Sequence, residues 1–317
     1  MLDTDTIYTT ARKRYVAEMG AHFDNAKFEE AIVRYLDDIK LRYSGAKFAK
    51  NFQKICPLGN AVLEDYNIKI IELPNDGFAL SSLRFISLNP DEPFIMIEFS
   101  TSELDDKNIL PILELTKKHY THLNLDRYSF FSKKDISNSH NHLTITKDKI
   151  WVKGPISKER IFKFDHENIE VIPIHSLTDV QYNIYKDEFN GYIYDNPHLK
   201  AELRLEKQDY LARLASCGFL FEVLISGEYA GVLAVDKGFE YSCYGLKIAE
   251  EFLLKKYRGN GYGKIIQSKL IDQLAILGWT DSYLYGTISS KNIPSLKTAR
   301  ANLRKPFLYS YFASFNK

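Results

Sequence analysis

One stretch of the sequence decides the fold of the C-terminal half: Phe252-Leu-Leu-Lys-Lys-Tyr-Arg258-Gly-Asn-Gly-Tyr-Gly-Lys264-Ile-Ile266. It has the pattern of an apolar strand end, an Arg-x-x-Gly-x-Gly turn and an apolar-periodic helix. Glycines let successive backbone N–H groups converge on one point, and the following helix adds the positive end of its dipole. The stretch therefore predicts an anion cradle for a pyrophosphate, in which Arg258 orients the loop or neutralises phosphate.

The spacing of the glycines excludes two other phosphate-binding motifs. A dinucleotide-binding fingerprint needs Gly-x-Gly-x-x-Gly, whereas these glycines stand at 259, 261 and 263. A P-loop needs Gly-Lys followed by Ser or Thr, and Gly263-Lys264 is followed by Ile265. The cradle must belong to another class of protein.

Strand, Arg-x-x-Gly-x-Gly and helix together resemble the acetyl-coenzyme A signature of the GNAT family, the Gcn5-related N-acetyltransferases. The next predicted strand, Ser282–Thr287, leads into Asn292-Ile-Pro-Ser295, which is similar to the family's second motif. Upstream, Ile169–His175 resembles the first strand of the family. The resemblance covers residues 166–317 and implies an α+β fold, a mixed and mostly antiparallel sheet flanked by helices.

The resemblance also implies a coenzyme site, with acetyl-coenzyme A as co-substrate and no metal. The backbone of the strand end is expected to hold the pantetheine arm, in a gap between a bulged strand and its neighbour. The loop and the second motif are expected to hold the phosphates. The residues assigned to the coenzyme are Phe252, Leu253, Leu254, Arg258, Gly259, Asn260, Gly261, Tyr262, Gly263, Lys264, Asn292 and Ser295.

The implied reaction is direct attack of an amine on the thioester, which requires a base and a proton donor for the leaving thiol. Side chains alternate along a strand, so only one of Glu250 and Glu251 can face the acceptor. The resemblance implies an acidic residue at position 250, as in a number of family members, so we predict that Glu250 is the base, while a merely surface-facing carboxylate stays an open alternative. The family's usual acid, a tyrosine, is replaced here by Ala299; Tyr309 or Tyr311 is the candidate substitute.

Aromatic residues make up 14% of the chain, with 21 tyrosines and 20 phenylalanines. One cluster falls in and after the first helix of the GNAT-like region, which shapes the acceptor cleft in that fold. We predict that some of its rings bind an acceptor with an apolar or cationic face. The cluster comprises Tyr182, Tyr185, Phe189, Tyr192 and Tyr194.

The first half, residues 1–153, is predicted to be a second α+β domain. Helices are expected over Thr9–Phe23 and Lys27–Tyr43, followed by strands, a strand–helix–strand passage and a closing hairpin over Leu143–Thr146 and Lys149–Lys153. This order resembles the GNAT order, but the segment from Ser100 carries Glu103, Asp105 and Asp106 instead of glycines. A degenerate GNAT-like half, giving a tandem protein, and an unrelated domain are both open.

Composition limits the remaining possibilities. Lysine and arginine total 42 against 41 acidic residues, so no basic excess indicates a nucleic-acid partner. Three dispersed cysteines and the absence of a signal-like or membrane-length apolar segment predict a cytoplasmic protein. The acceptor is expected to be a small-molecule or peptide amine. Alternatives are a non-catalytic acyl-coenzyme A sensor and an aminoacyl transferase of tandem GNAT-like fold; the acceptor and the oligomeric state stay open.

Overall fold

The computed structural model describes residues 45–136, 142–157, 166–200, 203–240, 243–280 and 282–316, with positions 6, 9, 10, 13 and 37. The chain forms two compact units: Met1–Lys149 with Phe307–Lys317, and Ile150–Pro306. The domain limits predicted from sequence, 1–153 and 166–317, stay a prediction, and packing assigns the end of the chain to the first unit. The two expected helices over Thr9–Phe23 and Lys27–Tyr43 lie outside the continuously described ranges.

Helices and strands are numbered here in chain order. The helices are α1 (Ala46–Ile55), α2 (Ile109–His119), α3 (Asp179–Asp195), α4 (Gln208–Ser216), α5 (Tyr262–Ile276) and α6 (Ile293–Ala301). The strands are β1 (Lys69–Leu73), β2 (Gly77–Phe85), β3 (Pro93–Ser100), β4 (Arg127–Ser132), β5 (Leu143–Pro155), β6 (Ile169–Ile174), β7 (Leu220–Ile225), β8 (Glu228–Glu240), β9 (Cys243–Leu253), β10 (Tyr283–Ser289) and β11 (Lys305–Phe315).

The second unit is a mixed, mostly antiparallel sheet flanked by helices, as predicted. Its strands run in the order β6-β7-β8-β9-β10, with β5 beside β10. Among the first four, each strand is antiparallel to its neighbour, and β10 is parallel to β9. Helix α3 starts at a capping box in which the Thr178 hydroxyl accepts the Gln181 N–H. Its buried rings, Tyr185 and Phe189, pack against Phe252 of β9.

The first unit repeats this plan. Strands β1, β2 and β3 are antiparallel, and β4 is parallel to β3 after helix α2. The β2–β3 register shifts by one residue at Glu98, and β3 pairs with β4 only at Ile95 and Met96. A bulged strand that parts from a parallel neighbour is the arrangement that the GNAT-like interpretation of this half requires.

Three sequence-based element predictions were wrong. The closing hairpin is one continuous strand, β5, because Ser310 of β11 accepts the Lys149 N–H and donates to Asp148, which holds the polar middle extended. The sequence predicts a helix capped by Thr101 or Ser102 and running to about His119, but α2 begins at Ile109, since the Asp105 carboxylate accepts the N–H groups of Lys107 and Asn108 in the turn before it. The sequence also predicts a helix over Leu199–Ser216, but α4 begins only at Gln208.

Candidate active site

A gap opens in the sheet of the second unit at the end of β9. The β8–β9 register pairs Val235 with Ile248 and Ala234 with Glu250, so Ala249 is an extra residue in a bulge. Strand β10 pairs with β9 only over Gly245–Lys247. The part of β9 after Lys247 is therefore not paired with β10. The bulge and the parted strands expected from the family resemblance are both present.

Backbone direction selects which residues face the gap. The Leu254 N–H donates to the Ala230 carbonyl of β8, and the Leu254 carbonyl accepts the Tyr257 N–H. Since backbone groups alternate along a strand, the N–H groups of Glu251 and Leu253 point to the side that β10 has left. Of the three strand-end residues predicted to hold a pantetheine arm, Leu253 faces the gap and Phe252 and Leu254 bond toward β8.

The glycine loop has the backbone that the motif predicted. After a short turn of helix at Lys255–Tyr257, Gly259 and Gly261 take φ values of +82° and +76°. Any residue with a Cβ is strained in this left-handed region. Gly261 is the N-cap of α5, and Asn260 is exposed beside it. The first N–H groups of α5, from Tyr262 onward, therefore point out of the helix toward an exposed loop.

The Arg258 side chain packs against residues of its own unit instead of projecting from the loop. Its Nε donates to the Leu253 carbonyl at 2.6 Å, and its guanidinium lies 4.5 Å from the Phe252 ring and 4.6 Å from the Tyr192 ring. Its Nη2 is 3.7 Å from Glu188. Burial lowers the pKa of Arg258, with the Glu188 charge opposing. Of the two roles predicted for this side chain, the contacts favour orienting the loop.

The second motif, Asn292-Ile-Pro-Ser295, begins α6, which packs against α5 beside the glycine loop. The Asn292 side chain caps α6 by accepting the Ser295 N–H at 3.2 Å. A Cβ on Gly263 would lie 3.1 Å from Thr298 Oγ1, so this glycine permits close packing of α5 on α6. Asn302 donates to the Lys264 carbonyl and ties the same two helices together. Coenzyme contacts of Asn292, Ser295, Tyr262 and Lys264 stay predictions.

Glu250 lies at the bulge and is partly buried. The Tyr185 hydroxyl donates to its Oε2 at 2.5 Å, and the Glu251 N–H donates to its Oε1 at 2.8 Å. Because the Glu251 N–H faces the gap, the carboxylate stands at the edge of the gap. Burial raises the pKa of Glu250 to about 7, although both hydrogen bonds oppose the rise. A carboxyl that is half ionised near neutral pH can accept a proton from a bound amine.

Glu251 points to the opposite face, as strand alternation predicted. Its carboxylate accepts a short hydrogen bond from Gln267 of α5. Burial raises the pKa of Glu251, and the charge of Arg304 opposes the rise. Sequence reasoning singled out neither Gln267 nor Arg304. No local signal marks them, because a buried arginine is apparent only from the distant residues around it.

The predicted aromatic cluster divides into core and surface positions. Tyr185 and Phe189 are buried in the core, and Tyr182 and Tyr192 are partly buried against it. Tyr194 is 86% exposed. Tyr185 joins the site through its hydroxyl, which also accepts the Glu206 N–H at 3.1 Å. Contact of these rings with an acceptor stays a prediction.

The two tyrosines predicted as proton donors belong to the first unit. Tyr311 is fully buried, stacks on Phe130, donates to Asp135 at 3.0 Å and accepts the Ile136 N–H at 2.8 Å. Tyr309 packs against the core of the same unit. Burial raises the pKa of Tyr311. These contacts are those of packing tyrosines, and nothing in them favours a catalytic role.

No protein-family model and no curated protein matches the sequence. Among solved structures, the chain is similar to a GCN5-related N-acetyltransferase from Sphaerobacter thermophilus (8% identity, 87% of this chain, 93% of that chain, TM-score 0.47). It is also similar to a GNAT-family acetyltransferase from Colwellia psychrerythraea (12%, 76% and 81%, 0.45). A third is a tandem GNAT protein from the clavulanic acid biosynthesis pathway (7%, 86% and 96%, 0.44).

The strand order, the bulge at Ala249, the parted β9 and β10, and the glycine loop before α5 give Ile150–Pro306 a GNAT fold. In the described ranges, no three histidine, cysteine, aspartate or glutamate side chains gather in a group that could hold a metal ion. None of the helices described is both long and apolar enough to span a bilayer.

Proposed function

We propose that the second unit is a GNAT-type N-acetyltransferase that transfers an acetyl group from acetyl-coenzyme A to a primary amine. The observation that carries the proposal is the position of Glu250. A carboxyl with a pKa of about 7 lies at the edge of the gap beside β9, and a glycine loop suited to a pyrophosphate follows the same strand. The amine acceptor and the acetyl donor are both part of the proposal.

The residues fit the coenzyme at two points. Gly259 and Gly261 have the positive φ that brings backbone N–H groups to one side. The space that a Cβ would occupy is open at both positions. The exposed start of α5 supplies a positive dipole end for the phosphates. Along β9, the Leu253 N–H faces the gap and can pair with an extended amide chain as a neighbouring strand would.

The coenzyme supplies an acetyl group activated as a thioester. Glu250 takes a proton from the amine, whose nitrogen bonds to the acetyl carbon while the carbon–sulfur bond breaks. The sulfur leaves as a thiolate with that electron pair and takes up a proton from solvent, and Glu250 returns its own proton to solvent. Tyr185 stays protonated, because burial and the Glu250 charge raise its pKa, and its hydroxyl keeps the carboxylate oriented toward the gap.

Isothermal titration with acetyl-coenzyme A tests the binding step. The wild-type protein is expected to bind, and Gly261→Glu is expected to abolish binding through strain and charge repulsion in the cradle. Gly227→Glu is the matched control: this glycine also has positive φ and open space, but lies in the β7–β8 turn, and binding should persist. A wild-type protein that does not bind would refute the proposal.

Turnover is tested by thiol release on a panel of small-molecule and peptide amines. Release that depends on the amine and disappears in Gly261→Glu supports acetyl transfer. Tight binding without release on any amine would instead support the sensor alternative.

A further inference from the structure

A buried polar cluster lies on the α5 face of the parted strands, and the proposed base does not use it. Arg304 is 2% exposed and Gln267 is fully buried. Arg304 Nη2 donates to Gln267 Oε1 at 2.8 Å, and Gln267 donates to Glu251. Gln267 therefore bridges a buried cation and a partly buried carboxylate.

The Arg304 side chain packs closely against two glycines, Gly154 and Gly286. A Cβ on Gly154 would lie 3.0 Å from Arg304 Cγ, and a Cβ on Gly286 would lie 3.4 Å from Nη1 and 3.7 Å from the Cβ of Ile248. Ile248 and Gly286 directly follow the last paired residues of β9 and β10. The guanidinium therefore lies at the apex of the gap, where the two strands begin to part.

Arg304 keeps a charge and an unused donor at this apex. Burial lowers its pKa to about 10 while Glu251 opposes the fall, so the group is a cation at neutral pH. Its Nε is buried without a hydrogen-bond partner in the described part of the chain. A buried donor without a partner is unfavourable, and a bound acceptor would offset that cost.

The family resemblance predicts a tyrosine at position 299, where this chain has an alanine without a hydroxyl group. Ala299 is fully buried, and its carbonyl accepts the Arg304 backbone N–H at 3.0 Å. The backbone of Arg304 is thus anchored at Ala299, which carries a methyl group where the resemblance predicts a phenol.

We propose that the Arg304 guanidinium is the positive charge that stabilises the departing coenzyme thiolate, in the role of the missing tyrosine. This inference rests on the proposed acetyl transfer. It also assigns Glu251 and Gln267 a positioning role, since they orient the guanidinium and moderate its field. The thiol of bound coenzyme A should then ionise more readily than the free thiol.

Ultraviolet titration of the thiol of coenzyme A bound to the protein tests the proposal without turnover. Arg304→Gln should raise the pKa of the bound thiol by about one unit relative to the wild-type complex, because an opposite charge within a few ångströms favours the thiolate. Arg304→Lys, which keeps the charge, should stay near the wild-type value. Glu251→Gln should lower the pKa of the bound thiol, because it removes the carboxylate whose negative charge opposes that of Arg304. Arg300→Gln is the matched control on the exposed face of α6.

The outcomes separate this proposal from the one that it rests on. Failure of wild-type protein to bind coenzyme A refutes the proposed function. Binding with the same thiol pKa in wild type, Arg304→Gln and Glu251→Gln leaves acetyl transfer intact and overturns the role of Arg304. If Arg304→Gln does not fold, as shown by circular dichroism, Glu251→Gln and Arg304→Lys decide: no downward shift in the first, or a full one-unit rise in the second, overturns it.

Discussion

Glu250 carries its charge only in part at neutral pH, and this makes the proposed chemistry pH-dependent. The base must be ionised to accept a proton, so kcat/KM should rise with pH through about 7, the pKa of Glu250. Glu250→Gln should lower kcat/KM about 100-fold or more and remove this limb of the profile. The control is Glu170→Gln, an exposed position on β6. An unchanged profile in Glu250→Gln would exclude Glu250 from the reaction.

The same pKa affects stability with a definite sign. Folding raises the pKa of Glu250 from its ordinary 4.5 to about 7, so the folded state binds the proton more tightly. Stability from this group is full at pH 4 and is lost as pH rises toward 7 and beyond. Glu250→Gln should therefore unfold at a higher temperature than wild type at pH 8, and the gain should vanish near pH 4. A loss of stability at pH 8 would contradict the burial argument.

Tyr185 tunes this base through one hydrogen bond. Its hydroxyl stabilises the ionised carboxylate, so Tyr185→Phe should raise the pKa of Glu250 and move the acid limb of the rate profile upward by about one unit. Tyr194→Phe, at the 86% exposed end of the cluster, is the matched control and should leave the profile in place. A lower rate without a shift of the limb would show that Tyr185 affects packing alone.

At the scale of elements, the loop and the start of α5 were predictable because their signals are local. Gly259 and Gly261 need left-handed backbone, and the apolar period after Tyr262 specifies a helix wherever the chain lies. The bulge at Ala249 depends on the register with β8, which lies outside the motif. The buried position of Arg304 could not be predicted, since its burial depends on Gly154 and Gly286, which are distant along the chain.

The contact between α5 and α6 gives a prediction at this scale. Gly263→Ala places a methyl group 3.1 Å from Thr298 Oγ1, which should push the helices apart, lower the free energy of unfolding by about 1–3 kcal/mol and weaken coenzyme binding. Thr298→Ala should rescue the Gly263→Ala protein, because it removes Oγ1 and Cγ2, the two Thr298 atoms that the added methyl group would contact. Gly191→Ala in α3, where a Cβ meets open space, is the control. A destabilised double variant would contradict this account.

Strand β11 shows how far a correctly predicted element can mislead about its role. The sequence pattern over Phe307–Phe315 predicts a strand, but its pairing with β4 and its place in the first unit depend on residues far away along the chain. Tyr311→Phe removes a hydroxyl bonded to Asp135 and Ile136, so it should cost about 1–3 kcal/mol of stability measured by chemical denaturation. Thiol release should be unchanged; a large loss at wild-type stability would restore Tyr311 as the proton donor.

At the scale of the whole molecule, the two units share one strand plan but differ at the loop that follows the bulged strand. In the first unit, the turn before α2 is occupied by the protein's own carboxylate: Asp105 accepts the N–H groups of Lys107 and Asn108 and pairs with Lys134. Burial would raise the pKa of Asp105, but these hydrogen bonds outweigh it and hold the pKa below the ordinary value. An internal anion thus stands where the second unit offers an open cradle.

We therefore expect about one coenzyme per chain in isothermal titration, because the N–H groups of Lys107 and Asn108 are already bonded to Asp105 and the turn lacks the glycines of the second unit. Gly261→Glu should remove all binding and leave no weaker residual site. Asp105→Asn, which keeps the shape and removes the charge, should leave both the stoichiometry and the affinity unchanged. Two coenzymes per chain, or residual binding in Gly261→Glu that Asp105→Asn strengthens, would show that the first unit retains a coenzyme site of its own.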